Sequence, residues 1–310
     1  MMDKQTILIT GARGFIAGAL TGFLRRNFSA RYLLTGTSTR PPAPGEGWIV
    51  PCSLNNLREL EKILQRRRPD YIFHLAGGRR PDEEEIFTAN FSTTKLLCEA
   101  VGKIKKYRPR IIIPGTAAEY GAPEAKGTLI SESVRPRPGA WYGLVKHMQV
   151  TLSLMYARRG LDVVVARMFN ILGRGVPASL AIGRFAADIA RIEVGGQAPV
   201  IRTKNLSGKR DFLDVEDVCS ALVAVAREGT SGEIYNVCSG RSYPIRELLK
   251  RLLRYSTVKN IRIEEDRSTS SDSYDVIGSN AKLRRAVDWK PRVSIEESLE
   301  NTLKYYRQLQ

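Results

Sequence analysis

The chain has 310 residues, of which 43% are hydrophobic, so it can bury the core of one large domain or of two ordinary ones. No apolar run approaches the ~18 residues of a membrane span, and the apolar stretch near the N-terminus is too short for a signal-peptide core. We therefore expect a cytoplasmic protein with no membrane segment.

The formal net charge of +17 raises the question of a nucleic acid or membrane partner. Much of this charge lies in short clusters on or next to predicted helices, such as residues 66–68 and 103–106. These clusters lack the interleaved aromatic side chains of a surface that stacks nucleic-acid bases. We interpret them as solvated helix faces and expect neither a nucleic acid nor a membrane as partner.

The cysteines are widely separated and form no C-x-x-C pair: they are Cys52, Cys98, Cys219 and Cys238. Only His74 and His147 could join them around a metal ion. This distribution favours free thiols in a reducing compartment, and we expect no metal site.

A glycine-rich turn follows the first predicted strand, residues 4–10. Gly11 and Gly14 permit a tight turn that brings the backbone close to a pyrophosphate, and a helix starting near Gly14 points its first N–H groups at the anion. The alternative is a strand-to-helix turn that holds no ligand. The predicted cofactor contacts of this turn are Gly11, Arg13, Gly14, Phe15 and Ile16.

The second predicted strand, residues 31–35, should end beside the adenosine ribose of a dinucleotide. An enzyme that uses NAD usually keeps an Asp or Glu there for the ribose 2′-hydroxyl. Here hydroxyl and guanidinium side chains follow instead, and the first carboxylate is Glu46. These groups suit a 2′-phosphate, so we expect NADP(H) in preference to NAD(H). The residues predicted at this position are Thr37, Ser38 and Arg40.

A short strand near residues 48–50, a helix at 55–67 and a strand at 71–75 come next. Small residues after the strand at 71–75 would let a flat cofactor lie across its carboxyl end. His74 lies inside that strand, and we interpret it as a core histidine. The further predicted cofactor contacts are Ser53, Leu54, Leu75, Ala76 and Gly77.

Residues 82–105 combine an acidic start, a long helical pattern and a basic end, as the helix dipole favours. A buried strand is predicted at 110–114, and the segment 115–121 follows it at the edge of the sheet where an active site is expected. Thr116 is therefore where a hydroxyl could meet a substrate.

Tyr142 and Lys146 are four residues apart on a helix predicted to run to about residue 158, so their side chains share one face. An ammonium beside a phenol favours the phenolate and should lower the tyrosine pKa, which suits carbonyl reduction or alcohol oxidation. The alternative is an ordinary surface helix with a half-buried tyrosine and a solvated lysine.

A further apolar strand at 162–169 completes an alternation of strands and helices that predicts an α/β fold with a Rossmann-type doubly wound parallel sheet. We assign residues 1–170, with a return segment near 210–240, to an NADP-binding domain. Residues 171–310 form mainly a smaller substrate-binding domain. Its amphipathic helices are predicted at 180–193, 214–227, 244–253 and 294–307.

Five stretches, in this order and spacing, resemble the extended short-chain dehydrogenase/reductase family of nucleotide-sugar epimerases and dehydratases over nearly the whole chain. They are residues 10–15, residues 73–76, residues 116–121, residues 142–146, and residues 210–212 with Asp214 and Asp217. Within that family the chain is most similar to the GDP-4-keto-6-deoxy-mannose reductases of the GDP-rhamnose-forming type. The stretches 167–170, 235–240 and 289–291 carry that similarity.

The resemblance implies a set of site residues and a homodimer. Thr116, Tyr142 and Lys146 would be catalytic, and Tyr142 and Lys146 would also contact the cofactor. Asn170, Arg210 and Arg267 would hold the diphosphate of a sugar nucleotide, Lys204 and Asn205 would border its base, and the loop ending at Arg184 would orient the sugar. The dimer would form through the helices at 89–105 and 140–158.

The leading hypothesis is NADPH-dependent reduction of a nucleotide-diphosphate 4-keto-6-deoxyhexose, with GDP as the expected nucleotide. A nucleotide-sugar 4-epimerase that recycles bound NAD is one alternative, and a non-catalytic NADP-binding protein is another. A 4,6-dehydratase would need an extra acid and base one or two residues after Thr116, where this chain has Ala117 and Ala118. We expect Glu119, one position further on, to have a structural role.

Overall fold

The computed structural model describes residues 4–123, 127–204, 206–266 and 275–310. Its strands are β1 Gln5–Thr10, β2 Tyr32–Ser38, β3 Ile49–Pro51, β4 Tyr71–His74, β5 Arg110–Thr116, β6 Leu129–Ile130, β7 Asp162–Met168, β8 Asn170–Leu172, β9 Val200–Lys204, β10 Lys209–Asp214, β11 Ile234–Val237, β12 Ser242–Pro244, β13 Arg262–Asp266 and β14 Asp275–Gly278. Its α-helices are α1 Phe15–Phe28, α2 Leu57–Arg67, α3 Glu83–Phe87, α4 Thr93–Lys103, α5 Trp141–Arg158, α6 Ala181–Glu193, α7 Val215–Glu228, α8 Ile245–Arg254, α9 Ala281–Ala286 and α10 Ile295–Arg307.

A seven-stranded sheet in the order β11-β7-β5-β4-β1-β2-β3 forms the centre of the molecule, and every neighbouring pair in it is parallel. The chain order reverses between β1 and β4, since β2 follows on one side of β1 and β4 lies on the other. Ligands of doubly wound sheets bind outside the carboxyl ends of the strands at such a reversal. This is the predicted Rossmann-type architecture, and it positions the site described below.

Both faces of the central sheet are covered, which explains why its strands read as continuous apolar runs. Successive side chains of β1 point to opposite faces: Ile7 and Ile9 pack with α1 and α7, whereas Leu8 packs with α2 and α4. Helix α7 and strand β11 belong to the predicted return segment, and β11 pairs with β7 at one edge of the sheet.

Most residues after Asn170, together with β6, build a second group of elements, whereas α7 and β11 belong to the central sheet and its helix layer. A smaller sheet has the order β12-β10-β14-β6, and β8 also pairs with β10. Helices α6, α8 and α10 pack together in a separate apolar core around Phe185, Leu248 and Leu303. Among the described residues, none of the helices combines the length and apolar character needed to cross a bilayer.

The structure corrects two of the predicted elements. Strand β2 extends to Ser38, beyond the predicted end at residue 35, because Gly36, Thr37 and Ser38 pair with β3. The single helix expected over 82–105 is divided by a π-helical turn, Thr88–Ser92. A π-helical turn cannot be recognised from the spacing of apolar residues in the sequence. Such turns are common at functional sites.

Candidate active site

The glycine-rich turn after β1 touches the segment after β4. Gly11 has a φ of +65°, and a Cβ atom on it would lie 2.7 Å from the Cα atom of Ala76, so a larger residue has no room there. Helix α1 then begins at Phe15, and its N-cap, Gly14, makes no side-chain capping hydrogen bond. The first N–H groups of α1 are therefore left for an anion, as the phosphate-binding interpretation requires.

A cleft of about 360 Å³ opens at this turn, at the carboxyl ends of β1, β2 and β4. Thr37 Oγ1 is buried in its wall and has no hydrogen-bond partner among the described residues. An orphaned hydroxyl, a close-packed glycine turn and an uncapped helix start together fit a dinucleotide phosphate. The predicted cofactor residues that line this cleft are Gly11, Arg13, Gly14, Thr37, Ser38, Leu54, Leu75, Ala76 and Gly77, and they are joined there by Thr39, Cys52 and Arg80.

Six other predicted cofactor residues do not line the described cleft: Phe15, Ile16, Arg40 and Ser53, and also Tyr142 and Lys146, which are described below. Phe15 and Ile16 pack against the apolar core, and the Phe15 ring also lies beside Gly175. Arg40 is exposed, and its backbone N–H donates to Ser38 Oγ. The Ser53 N–H donates to Glu59 Oε2 over 2.7 Å.

The loop after β4 is held by a residue of the π-helical turn. Asn90 is fully buried, its Oδ1 accepts from the Gly78 N–H over 2.9 Å, and its Nδ2 donates to the Gly78 carbonyl over 3.0 Å. A Cβ atom on Gly77 would lie 2.5 Å from Asn90 Oδ1. The π turn therefore shapes the floor of the cleft. Asn90 was not predicted from the sequence, because its partner Gly78 lies 12 positions earlier, in a loop that has no regular residue pattern.

Thr116 ends β5 and begins a short 3-10 turn, Ala117–Glu119. The Thr116 N–H donates to Glu119 Oε1 over 2.7 Å, and Glu119 Oε2 accepts from Arg167 Nη2 over 2.8 Å. The Glu119 and Arg167 side chains are both buried, so each charge offsets the free-energy cost of burying the other. The structural role predicted for Glu119 is confirmed, and Arg167 is a positioning residue that sequence analysis did not recognise as such.

Gly143 explains how Tyr142 comes to lie beside Thr116. A Cβ atom on Gly143 would lie 2.5 Å from the Ala118 carbonyl oxygen, so only glycine lets α5 approach the segment after β5 this closely. Tyr142 is half-buried, and its phenol lies close enough to the Thr116 side chain for that hydroxyl to favour the phenolate. The structure thus brings together two of the three predicted catalytic residues.

The pKa of Tyr142 is raised above its ordinary value because burial disfavours the phenolate. The charge of Arg79 opposes this effect most strongly, and the Arg79 guanidinium lies 5.1 Å from the centre of the Tyr142 ring. The expectation that Lys146 lowers the Tyr142 pKa is therefore wrong for this structure. Two consecutive arginines directly after Gly77 and Gly78 were the sequence signal that could have identified Arg79.

Lys146 is 3% exposed, and its ammonium donates to the Pro114 carbonyl over 2.6 Å and to Gln149 Oε1. These acceptors direct the amine toward the end of β5. Burial lowers the pKa of Lys146 to about 8, and the charge of Glu119 opposes the shift. At neutral pH the amine is thus still mostly charged, but it lies within about one unit of its titration.

His74 is a buried core histidine, as predicted. Its Nδ1 lies 3.0 Å from Thr10 Oγ1 and its Nε2 lies 3.5 Å from Thr93 Oγ1. Burial and then the charge of Lys146 lower the pKa of His74 to about 3, so the ring is neutral at physiological pH. The four cysteines are also buried, and all of them are free thiols.

On the substrate side, Asn170 and Arg210 lie on the paired strands β8 and β10. Asn170 Nδ2 donates to the Asp211 carbonyl over 3.0 Å, and Arg210 is half-buried next to it. Arg184 lies apart on α6, where its Nη2 donates to Thr203 Oγ1 and its buried Nε has no partner among the residues that the structure describes. Two predicted substrate residues, Asn205 and Arg267, lie outside the described residues.

Asp211 connects three segments on this side. Its carboxylate accepts from the Ser239 N–H over 2.8 Å and from the Gly278 N–H over 3.1 Å, so it joins β10 to the end of β14. Burial raises the pKa of Asp211 to about 6, against the opposing effect of the hydrogen bonds from Ser239. These contacts fix the part of β10 that carries Arg210.

A dinucleotide-type cleft with a Thr116, Tyr142 and Lys146 set beside it defines an NAD(P)-dependent oxidoreductase of Rossmann type. Comparison with known proteins agrees: residues 7–238 match the model of the NAD dependent epimerase/dehydratase family. The chain belongs to this family, whose members include extended short-chain dehydrogenases/reductases.

The chain is 31% identical to the GDP-6-deoxy-D-mannose reductase of Pseudomonas aeruginosa, over 96% of each chain. It is 27% identical to the dTDP-6-deoxy-L-talose 4-dehydrogenase (NAD(P)(+)) of Kitasatospora kifunensis, over 90% of this chain and 91% of that one. The solved structure of RMD from Pseudomonas aeruginosa complexed with NADPH superposes with a TM-score of 0.85 and 29% identity, over 99% of this chain and 100% of that one.

Proposed function

We propose that this chain catalyses the NADPH-dependent reduction of a nucleotide-diphosphate 4-keto-6-deoxyhexose, GDP-4-keto-6-deoxy-D-mannose, to the 4-hydroxy sugar. The observation that carries the proposal is the position of the Tyr142 phenol next to the Thr116 side chain at the end of β5, on the same edge of the sheet as the dinucleotide cleft. This is a proton donor paired with a hydroxyl at a place where a carbonyl oxygen can receive both. The similarity to a GDP-6-deoxy-D-mannose reductase supports the choice of substrate.

When it is bound, the reduced nicotinamide supplies the hydride that adds to the sugar C4 carbon. Thr116 donates a hydrogen bond to the C4 oxygen and polarises the carbonyl. Tyr142 transfers its phenolic proton to the same oxygen as the alkoxide develops, and a proton from solvent later restores the phenol. A tyrosine whose pKa is raised by burial is fully protonated at neutral pH, which suits the reductive direction.

Lys146 keeps a positive charge next to the end of β5 and would hold the nicotinamide ribose. Its contact with the Pro114 carbonyl fixes the side chain in the protein interior, so little conformational freedom remains to be lost on binding. The predicted substrate residues Asn170, Arg184 and Arg210 would bind the sugar nucleotide. The buried Nε of Arg184, which has no partner in the described part of the chain, is a donor that supports this assignment. Asn205 and Arg267 remain predictions.

A nucleotide-sugar 4-epimerase that recycles NAD uses the same three catalytic residues and is the second candidate. The relatives named above, a reductase and a 4-dehydrogenase, favour net oxidoreduction. A non-catalytic NADP-binding protein would not need the Thr116 and Tyr142 pairing. We also propose that the chain forms a homodimer through α4 and α5, where Trp141 and Leu144 of α5 are exposed apolar side chains. The mass from light scattering tests the dimer.

The test of function is NADPH oxidation, followed at 340 nm, with pre-formed GDP-, dTDP-, UDP- and CDP-4-keto-6-deoxyhexoses. We expect the GDP sugar to give the highest kcat/KM, with one hydride and one proton added to the product by mass spectrometry. Failure of all four keto sugars, together with protein purified with stoichiometric bound NAD and epimerisation of a nucleotide hexose, would establish the epimerase instead.

A further inference from the structure

The end of the cleft that is expected to hold the adenosine contains the carboxylate of Glu46, a residue far from the glycine-rich turn in the sequence. Glu46 lies in the loop between β2 and β3, more than 30 positions after Arg13. In the fold its carboxylate pairs with Arg13: Oε2 contacts Nη2, and Oε1 lies 3.4 Å from Nε. Arg13 itself lines the cleft together with Ser38 and Thr39. Arg13, which lies in the cleft beside Ser38 and Thr39 where a 2′-phosphate is expected, is therefore already paired with an internal anion.

This ion pair belongs to a loop whose backbone is held by several hydrogen bonds. Arg13 Nη2 also donates to the Pro41 carbonyl over 2.7 Å, and Glu46 Oε2 accepts from the Ala43 N–H over 2.8 Å. The end of the loop is held where the Gly36 N–H donates to the Trp48 carbonyl over 2.8 Å. The side chains of Arg13 and Glu46 are only 29% and 31% exposed. The loop thus holds the carboxylate against Arg13 and does not leave it free in solvent.

The charges of the pair determine its effect on a dinucleotide. The hydrogen bond from Arg13 lowers the pKa of Glu46, so the carboxylate is ionised at neutral pH. A 2′-phosphate that approaches Arg13 meets this negative charge and must share or displace it. A ribose 2′-hydroxyl carries no charge and meets no such repulsion. The Glu46 carboxylate should therefore weaken the binding of NADP(H) more than the binding of NAD(H).

We propose that Glu46 is a specificity-determining residue that competes with the cofactor 2′-phosphate for Arg13 and so limits the preference for NADP(H) over NAD(H). The inference rests on the proposed function, because it assumes a nicotinamide dinucleotide in this cleft. It differs from the expectation based on sequence, in which the absence of an acid directly after β2 left the 2′-phosphate site without repulsion.

The experiment measures the Kd of NADP+ and of NAD+ by isothermal titration calorimetry for the unmodified 310-residue chain and four variants: Glu46→Gln, Arg13→Gln, the double variant and Glu216→Gln. Glu46→Gln keeps the shape and the acceptor for Ala43 but removes the charge. We expect Glu46→Gln to lower the Kd of NADP+ about tenfold, equivalent to about 1.4 kcal/mol of binding free energy, and to change the Kd of NAD+ less than about threefold. When Arg13 is already replaced by Gln, adding Glu46→Gln should change the Kd of NADP+ by less than about twofold.

Glu216→Gln is the matched control, since Glu216 forms a similar pair with Arg26, 2.6 Å apart, away from the cleft-lining residues. It should leave both affinities unchanged, and thermal unfolding checks that each variant is folded. An unchanged NADP+ affinity in Glu46→Gln would overturn the inference. So would a weakened NAD+ affinity alone, which would make Glu46 a ribose ligand. If the unmodified protein binds neither dinucleotide, it is the proposed function that fails.

Discussion

The Glu119 carboxylate lies 2.8 Å from the Arg167 guanidinium in the protein interior, where the two side chains are 0% and 1% exposed. Arg167 also donates to the Tyr120 hydroxyl over 2.8 Å and stacks over the Tyr120 ring at 4.7 Å. The Tyr120 hydroxyl donates in turn to Asn236 Oδ1 on β11. A buried polar network therefore connects the segment that carries Thr116 to the edge strand of the central sheet.

Glu119→Gln should destabilise the protein strongly, because it leaves the Arg167 charge buried without a counterion. Loss of one partner of a buried ion pair costs about 3–5 kcal/mol of unfolding free energy. Urea denaturation measures the change. Glu61→Gln, which breaks the exposed pair with Lys103, is the control and should cost less than about 1 kcal/mol. A loss below about 1 kcal/mol for Glu119→Gln would contradict the assigned structural role.

Tyr142→Phe should lower kcat by about 10²- to 10⁴-fold, because it removes the proton donor and keeps the ring. The Kd for NADPH, from fluorescence titration, should stay within about threefold of the original value. Tyr156→Phe, which alters a tyrosine on the same helix α5, is the matched control and should retain full turnover. Substantial kcat in Tyr142→Phe would refute the assignment of this residue as the acid.

Arg79→Gln should move the alkaline limb of the kcat profile to higher pH. The Arg79 charge lowers the pKa of Tyr142 against the larger effect of burial, so its removal raises that pKa further. Reduction needs the protonated phenol, which then survives to higher pH. Arg80→Gln, which alters a residue of the cofactor cleft, should instead raise KM for NADPH and leave the alkaline limb in place. A limb that does not move in Arg79→Gln would exclude the electrostatic role.

His74 should make the protein sensitive to acid. Its pKa is about 3 in the folded state against an ordinary 6.5, so the unfolded chain binds more protons between these values and unfolding free energy falls as the pH drops through them. The loss between pH 8 and pH 4 is on the order of 3 kcal/mol. His74→Asn should flatten this part of the pH dependence, measured by urea denaturation.

GDP-mannose should not be converted to its 4-keto-6-deoxy derivative by this protein alone. Dehydration needs an acid and a base near Thr116, but the next two residues are Ala117 and Ala118, and the Glu119 carboxylate is engaged by the Thr116 N–H and Arg167. Incubation without NADPH, followed by mass spectrometry, tests this prediction. Loss of one water from GDP-mannose, with a 4-keto product, would show that a dehydratase site is present.

The sequence by itself determined the architecture and indicated the proposed site residues, because local periodicity and short spacings encode them. Apolar strands alternate with amphipathic helices, and the helices α6, α7, α8 and α10 begin and end within one residue of their predicted limits. The turn at Gly11 also needs only neighbouring residues to be recognised. Thr116 and Tyr142 were identified because each directly follows an element whose place in the sheet was predictable.

The tertiary structure alone decided the electrostatics of the site, because they depend on burial and on charges from distant parts of the chain. Lys146 turns toward Pro114, which lies 32 positions before it, and the charge nearest the Tyr142 ring comes from Arg79. Glu46 reaches Arg13 only because the loop between β2 and β3 folds back over the glycine-rich turn. A spacing of four residues on a helix places two side chains on one face, but the surrounding protein decides which partners they meet.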